Sequence, residues 1–188
     1  IDDYLKIYRK ISVSCDYVTI NVSSPNTEAL RELQRKEYLE VLLRDISQIR
    51  NEETNRKLIM LKIDPDNTND HYSMILNLVN KYNIDGIIAT NSTVSRAEPN
   101  AAYCTEAGGL SGLPLRKRST EVVRYLAKAS DNRIPIIGVG GICDAISAGE
   151  KLDAGASLVQ LYSGFVYKGP LLAKRLAGSM VQRHSNSI

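Results

Sequence analysis

Five short apolar runs rich in β-branched residues recur along the chain, each followed by a stretch of helical period, and this alternation limits the possible folds. The runs occupy residues 17–22, 58–63, 86–90, 134–139 and 156–162. They are largely apolar on both faces, as strands buried between two layers must be. The amphipathic stretches are 38–49, 71–82, 119–129, 145–152 and 170–180, and a further helix over 2–11 precedes the first run. In the first stretch Leu39, Val41, Leu42, Ile46 and Ile49 approximate the i, i+3, i+4, i+7 stripe of a helix that buries one face. Strict alternation of this kind predicts a parallel sheet with crossover helices.

Periodicity alone leaves two architectures open. A five-stranded doubly wound sheet would be complete at this length, whereas a (β/α)8 barrel, which takes about 250 residues, would be three units short. The polar residues discriminate. Each predicted strand ends in unusual chemistry: Asn21-Val22-Ser23-Ser24, Lys62, Thr90-Asn91-Ser92, Gly138-Val139-Gly140-Gly141 and Tyr162-Ser163. Barrel sites draw on the carboxyl ends of many strands, while a doubly wound sheet concentrates its ligand at one switch point. The expected fold is therefore α/β, the last five units of a (β/α)8 TIM barrel, forming one partial domain over residues 1–188. One long connection, 93–115, carries Gly108-Gly109-Leu110-Ser111-Gly112 and has the length of a binding loop or lid.

Composition narrows the function classes. The 188 residues suffice for one sizeable core. A formal net charge of +3, with scattered basic residues, gives no reason to invoke nucleic acid. The cluster Arg116-Lys117-Arg118 reads as a solvated helix start in preference to a binding patch. Cys15, Cys104 and Cys143 form no CxxC pair and suit a reducing compartment, and His71 and His184 each lie in polar stretches, so no histidine metal site is expected. No apolar run approaches the ~18 residues that suggest a membrane span. The chain opens on Ile1 with no initiator Met, so the lack of a visible targeting segment decides nothing.

Several motifs admit two readings. Gly138-Val139-Gly140-Gly141, between a strand and a helix, suits an anion held by backbone N–H groups and a helix amino terminus; it also suits a plain tight turn. With Tyr162-Ser163 ending the next strand, it has the form of the phosphate site after the last two strands of a barrel. Lys62 in Leu61-Lys62-Ile63 either meets an anion inside the barrel or faces outward and snorkels. Ser23-Ser24-Pro25-Asn26-Thr27 is equally a turn or a site, since Ser, Asn and Pro form turns. Asn91 and Ser92 pose the same choice.

Taken together, 21–27, 89–96, 108–115, 136–141 and 154–165 resemble the dihydroorotate dehydrogenase family in order and spacing, over about residues 17–175. Ser24 stands where the soluble class of that family carries a cysteine, and so is similar to the membrane-associated, quinone-reducing class, with the region after Gly141 most similar to bacterial forms. The resemblance implies FMN-dependent oxidation of dihydroorotate to orotate in pyrimidine synthesis, with a quinone as electron acceptor. It implies peripheral attachment at the cytoplasmic face of a bacterial membrane, or at the mitochondrial inner membrane in a eukaryote. A proton leaves C5 of the substrate while C6 delivers hydride to flavin N5. Ser24 is implied as the base, with Thr27 a candidate relay through water for its proton. Lys62 is implied to stabilise the negative charge that develops near flavin N1 and the C2 carbonyl. Asn21, Thr90, Ser111, Gly112, Gly141, Tyr162 and Ser163 match further flavin positions, the last five around the phosphate. Asn21, Asn26, Asn91 and Ser92 match the cage around the pyrimidine ring.

Some features depart from the family. Asp64 replaces a small apolar residue, and a carboxylate two residues from Lys62 would weaken its effect. The family's first three barrel strands supply an Ala-Ala-Gly flavin segment, more substrate asparagines and a helical pair that receives quinone and membrane; none of these occurs in the 188 residues. The expectation is that the natural protein is longer, that membrane contact runs through that missing segment, and that this piece alone, with two open sheet edges, is poorly soluble or inactive. Two alternatives remain: another flavin barrel oxidoreductase acting on a dihydropyrimidine, and a catalytically incompetent fragment.

Overall fold

The computed structural model describes residues 1–27, 29–96 and 103–185, with side chains described as far as residue 180. Its five strands are β1 (Tyr17–Asn21), β2 (Leu58–Ile63), β3 (Gly86–Ala89), β4 (Ile136–Val139) and β5 (Leu158–Gln160). They form one parallel sheet in the order β1-β2-β3-β4-β5. The helices are α1 (Asp2–Ile11), α2 (Lys36–Glu52), α3 (Asn69–Lys81), α4 (Arg116–Ala129), α5 (Ala145–Asp153), α6 (Ser163–Lys168) and α7 (Leu171–Ser185). Sequential strand order, with no reversal, is barrel topology; a doubly wound sheet would show a switch point.

Register explains the two faces of the sheet. Asn21 lies beside Lys62, and Lys62 beside Ile88. Alternation puts Val18, Ile20, Ile59, Leu61, Ile63, Ile87, Ala89 and Ile136 on the helix side, where all are buried in the main core with Leu39, Leu42, Leu43 and Ile46 of α2. A smaller core under α5 and α7 joins Ile142, Ala148, Leu172 and Leu176. The opposite face is only partly covered: Tyr17, Leu58 and Leu158 are 48%, 53% and 62% exposed, which makes it an apolar surface awaiting contact.

Local chemistry starts the helices. Thr68 Oγ1 accepts the N–H of His71 (3.3 Å) at the start of α3. Asp144 and Ser147 form a reciprocal capping box at the start of α5, with Ser147 N–H donating to Asp144 Oδ1 (2.8 Å) and Asp144 N–H to Ser147 Oγ (3.1 Å). The Ser147 hydroxyl, which donates to Asp144 Oδ1 (2.6 Å), and the Ser147 N–H together hold the Asp144 carboxyl below its ordinary pKa. Among the described residues no helix is long and apolar enough to cross a membrane.

Three expectations need correction. β5 is only Leu158–Gln160, shorter than the apolar run over 156–162, because Ala156 caps the turn from α5 and Tyr162 begins the next helix. α6 was unforeseen, since Ser163–Lys168 is too short for its period to register. Arg116 and Arg118 are not merely solvated: Arg116 makes a two-pronged pair with Glu150 (2.7 and 2.8 Å), and Arg118 donates to the carbonyls of Pro65 (2.7 Å) and Asn67 (2.9 Å).

Candidate functional site

The carboxyl ends of the strands converge on a cavity of about 250 Å³. Lys62 of β2, Thr90, Asn91 and Ser92 after β3, Gly140 and Gly141 after β4, and Tyr162 and Ser163 after β5 line it. Asn26 from the loop after β1 and Ser111 and Gly112 from the long connection complete the wall. Of the flavin, substrate and base positions singled out in the sequence, all but Asn21 and Ser24 line this wall; Asn21 ends β1 and Ser24 lies in the loop that follows it.

Asn21 reaches the wall through hydrogen bonds. Asn91 Nδ2 donates to Asn21 Oδ1 (3.2 Å) and to Ser23 Oγ (3.1 Å), and Ser23 Oγ donates to Asn21 Oδ1 (3.0 Å). Asn91 Oδ1 in turn accepts the N–H of Ser92 (2.8 Å). The two amides therefore hold each other in fixed orientation across the ends of β1 and β3. Ser24 Oγ accepts the N–H of Asn26 (3.3 Å). Thr27, the candidate relay, is exposed.

Asn26 does more than line the wall. Its Oδ1 accepts the N–H of Gly109 (2.9 Å), which fastens the long connection over the loop after β1. Gly109 has no room for a side chain there: a Cβ would lie 2.0 Å from Ser92 Oγ and 2.6 Å from Pro25 Cγ. The connection also pairs with itself, Thr93 and Leu110 exchanging backbone bonds of 3.0 and 2.8 Å. Its described parts are thus fastened against the loops after β1 and β3; residues 97–102 lie outside the described residues.

Lys62 is half-buried, lines the cavity and makes no hydrogen bond or ion pair with any described residue. Burial pushes its ammonium below its ordinary pKa. A cation left unpaired at the wall of a polar cavity is suited to an anionic occupant. Asp64 does not compete for it. The carboxylate lies beyond the end of β2, 3% exposed, receiving Gln34 Nε2, the N–H of Asp66 (2.8 Å) and a longer contact from Arg31 (3.9 Å).

The glycine loop forms the other end. Gly140 and Gly141 adopt φ of +118° and +70°, where L side chains are strained, and a Cβ on Gly141 would lie 2.5 Å from Arg116 Cα. The loop thus rests directly on the first turn of α4. Ser111 Oγ and Ser163 Oγ lie 2.8 Å apart across the cavity mouth.

Arg31 escaped the sequence reading. It sits in a short 3-10 turn, Leu30–Gln34. Its Nε donates to the carbonyl of Ser23 (3.3 Å), its NH2 to that of Ser92 (2.9 Å) and its NH1 to Asp66 Oδ2 (2.8 Å). Asp66 also accepts Thr93 Oγ1 and the N–H of Val94 (2.9 Å). One guanidinium therefore joins the loops after β1, β2 and β3. The only hint in the sequence was the pair of carboxylates, Asp64 and Asp66, just past β2.

A sequential parallel sheet whose strand ends share one polar cavity, with a glycine loop late in the chain, defines the (β/α)8-barrel class. The particular family follows from comparison with known proteins. The family model described as dihydroorotate dehydrogenase matches residues 1–183, and the chain belongs to that family. A protein of Christiangramia forsetii named dihydroorotate dehydrogenase (quinone) is 46% identical over 183 residues, covering 97% of this chain and 54% of the relative. An Aeromonas hydrophila protein of the same name is 48% identical, covering 93% and 54%. The crystal structure of an Eimeria tenella DHODH with ferulenol superposes with a TM-score of 0.92 at 30% identity, over 99% of this chain and 54% of that one. The chain thus spans about half the length of the relatives it matches.

Proposed function

We propose that this chain contributes to a quinone-dependent dihydroorotate dehydrogenase, which oxidises dihydroorotate to orotate with FMN and passes the electrons to a quinone. The naming of the relatives supports this acceptor and, with it, peripheral attachment to the cytoplasmic face of a bacterial membrane, or to the mitochondrial inner membrane in a eukaryote. The observation that carries the reading is Lys62, an unpaired cation facing a cavity built from the ends of every strand.

The residues present fit FMN. The group supplies hydride acceptance, which no side chain here can perform. Lys62 would hold the isoalloxazine edge where negative charge accumulates, and its charge, already in place, needs no rearrangement during reaction. Thr90 would bond the ring. Ser111, Gly112, Gly141, Tyr162 and Ser163 would hold the phosphate, where hydroxyls and glycine backbone leave room for a tetrahedral anion. Asn21, Asn26, Asn91 and Ser92 would meet the alternating N–H and C=O groups of the pyrimidine, because each Asn side chain offers both a donor and an acceptor.

Ser24 is proposed as the base. Its oxygen accepts one N–H bond from Asn26, which stabilises negative charge there, and its own proton donates to no described residue. That proton is free to leave toward Thr27 through water as the serine takes one from the substrate. The test is anaerobic mixing of the FMN-loaded dehydrogenase that contains this chain with dihydroorotate, following bleaching of the flavin absorbance. Bleaching in the wild type, and retained flavin without bleaching in Ser24→Ala, is the expected pair of results. Flavin that stays oxidised in the wild type overturns the activity; loss of FMN in Ser24→Ala overturns the role of the serine.

A further inference from the structure

Lys151 of α5 is fully buried, 0% exposed, and pairs with no carboxylate among the described residues. Its ammonium spends its three protons on neutral oxygens: the carbonyl of Arg116 (3.0 Å), Ser119 Oγ (2.6 Å) and Thr120 Oγ1 (2.5 Å). All three acceptors lie in the first turn and a half of α4. Ser119 Oγ is also bonded to the carbonyl of Gly140 (3.1 Å). The cation is therefore one hydroxyl removed from the glycine loop, on the side away from the cavity.

The surroundings are shaped for this lysine. A Cβ at Gly138 of β4 would lie 3.1 Å from Lys151 Cβ and 3.4 Å from its Cδ, so the strand glycine makes way for the methylene stem. A Cβ at Gly140 would lie 2.7 Å from Ser119 Oγ, so the loop rests on the hydroxyl that the lysine holds. Arg116, whose like charge acts on Lys151, is itself paired by two bonds with Glu150. Glu150 also favours the charged form of Lys151, but its oxygens bond Arg116, so no described carboxylate meets the Lys151 ammonium directly. Burying such a charge is costly. A hydrophobic residue of the same length would fill the space without that cost, so packing alone does not account for the cation. Its field is weakly screened at this depth and favours negative charge on the other side of the loop.

We propose that Lys151 is a positioning residue for a phosphate-bearing ligand, holding the Gly140–Gly141 loop through Ser119 and supplying buried positive charge behind it. This rests on the reading of the loop as the FMN phosphate site. Lys151 touches neither cofactor nor substrate, and it discriminates between flavins that carry the phosphate and flavins that do not.

The test is fluorescence titration of the full chain with FMN and with riboflavin, which shares the ring and lacks the phosphate, comparing wild type with Lys151→Met. The expected result is an FMN Kd raised about tenfold, equivalent to about 1.4 kcal/mol, with the riboflavin Kd within about twofold of wild type. Should Lys151→Met fail to fold, Ser119→Ala keeps the charge and cuts the link to Gly140, and it should weaken FMN alone by about threefold. A wild type that prefers FMN, combined with variants that weaken both flavins equally or neither, overturns the role of Lys151 and leaves the phosphate site standing. A wild type that does not prefer FMN over riboflavin overturns the phosphate reading of the loop, and the proposal with it.

Discussion

Asp85 is the most consequential side chain at the end of the sheet opposite the cavity. It lies just before β3, where its Oδ2 accepts Arg50 NH1 (2.8 Å) and the N–H of Ile59 (2.8 Å) and its Oδ1 accepts Arg56 NH2 (2.7 Å). Arg50, 1% exposed, has no other carboxylate partner among the described residues; its NH2 reaches the carbonyl of Tyr82 (3.3 Å), and its Nε has no partner among them. Burial already pushes the guanidinium below its ordinary pKa. Asp85→Ala would strand this cation, and removing one partner of a buried pair costs about 3–5 kcal/mol. Arg50→Met should cost far less, under about 1 kcal/mol, because Asp85 keeps Arg56 and the Ile59 N–H while Ser47 Oγ still serves the Tyr82 carbonyl (2.7 Å). Urea unfolding followed by circular dichroism reads the difference. At a slope of ~2 kcal/mol per molar, Asp85→Ala should lower the midpoint by about 1.5–2.5 M. The double variant should recover much of that loss, since no stranded cation remains. Equal midpoints for the two single variants, or a double variant no better than Asp85→Ala, would refute the reasoning.

Other outcomes follow from the same structure. Arg31→Met should loosen the loops after β1, β2 and β3 together, raising dihydroorotate KM and lowering the bleaching rate at least about tenfold with FMN affinity little changed; stopped-flow bleaching alongside flavin titration checks this. Lys62→Met should leave a folded protein that binds flavin more weakly and whose bound flavin has a lower reduction potential, read by dye-coupled titration. Lys151 has its pKa pushed down to about 8 by burial, from an ordinary 10.5, so the unfolded chain binds its proton more strongly and stability should rise with pH between those values. The whole window is worth about 3 kcal/mol at ~1.36 kcal/mol per unit. Lys62, also lowered by burial, adds to this rise. Above pH 10 the buried Tyr8 and Tyr72, whose pKa values are raised from 10.0, reverse the slope. Urea midpoints of wild type and Lys151→Met at pH 7.5, 8.5 and 9.5 decide it, because the variant should lose most of the rise.

The site was legible in the sequence to the degree that its chemistry is local to the strand ends. A lysine in Leu61-Lys62-Ile63, or a glycine pair after Ile136–Val139, is anomalous against its own neighbours, and the anomaly survives in one dimension. Strand–helix alternation is similarly local, which is why, among the described residues, the five strands and every α-helix but α6 match the sequence expectation to within about five residues. What stayed hidden depends on residues distant in sequence. Arg31 looks like any surface arginine until the fold brings Ser23, Asp66 and Ser92 around it. Asn26 reads as a turn residue or a substrate ligand, and its bond to Gly109 spans 83 positions. Spacing along a strand sets Asp64 against Lys62, but the chain turns after Ile63 and delivers the carboxylate to Gln34. Lys151 was lost inside an amphipathic stretch where a lysine is the expected residue on the wet face. Its burial is set by Gly138 and Ser119. In this fold the residues that contact a ligand declare themselves by breaking a local pattern, whereas those that hold the contacts in place conform to it. The second group is therefore found only when the strands are brought side by side.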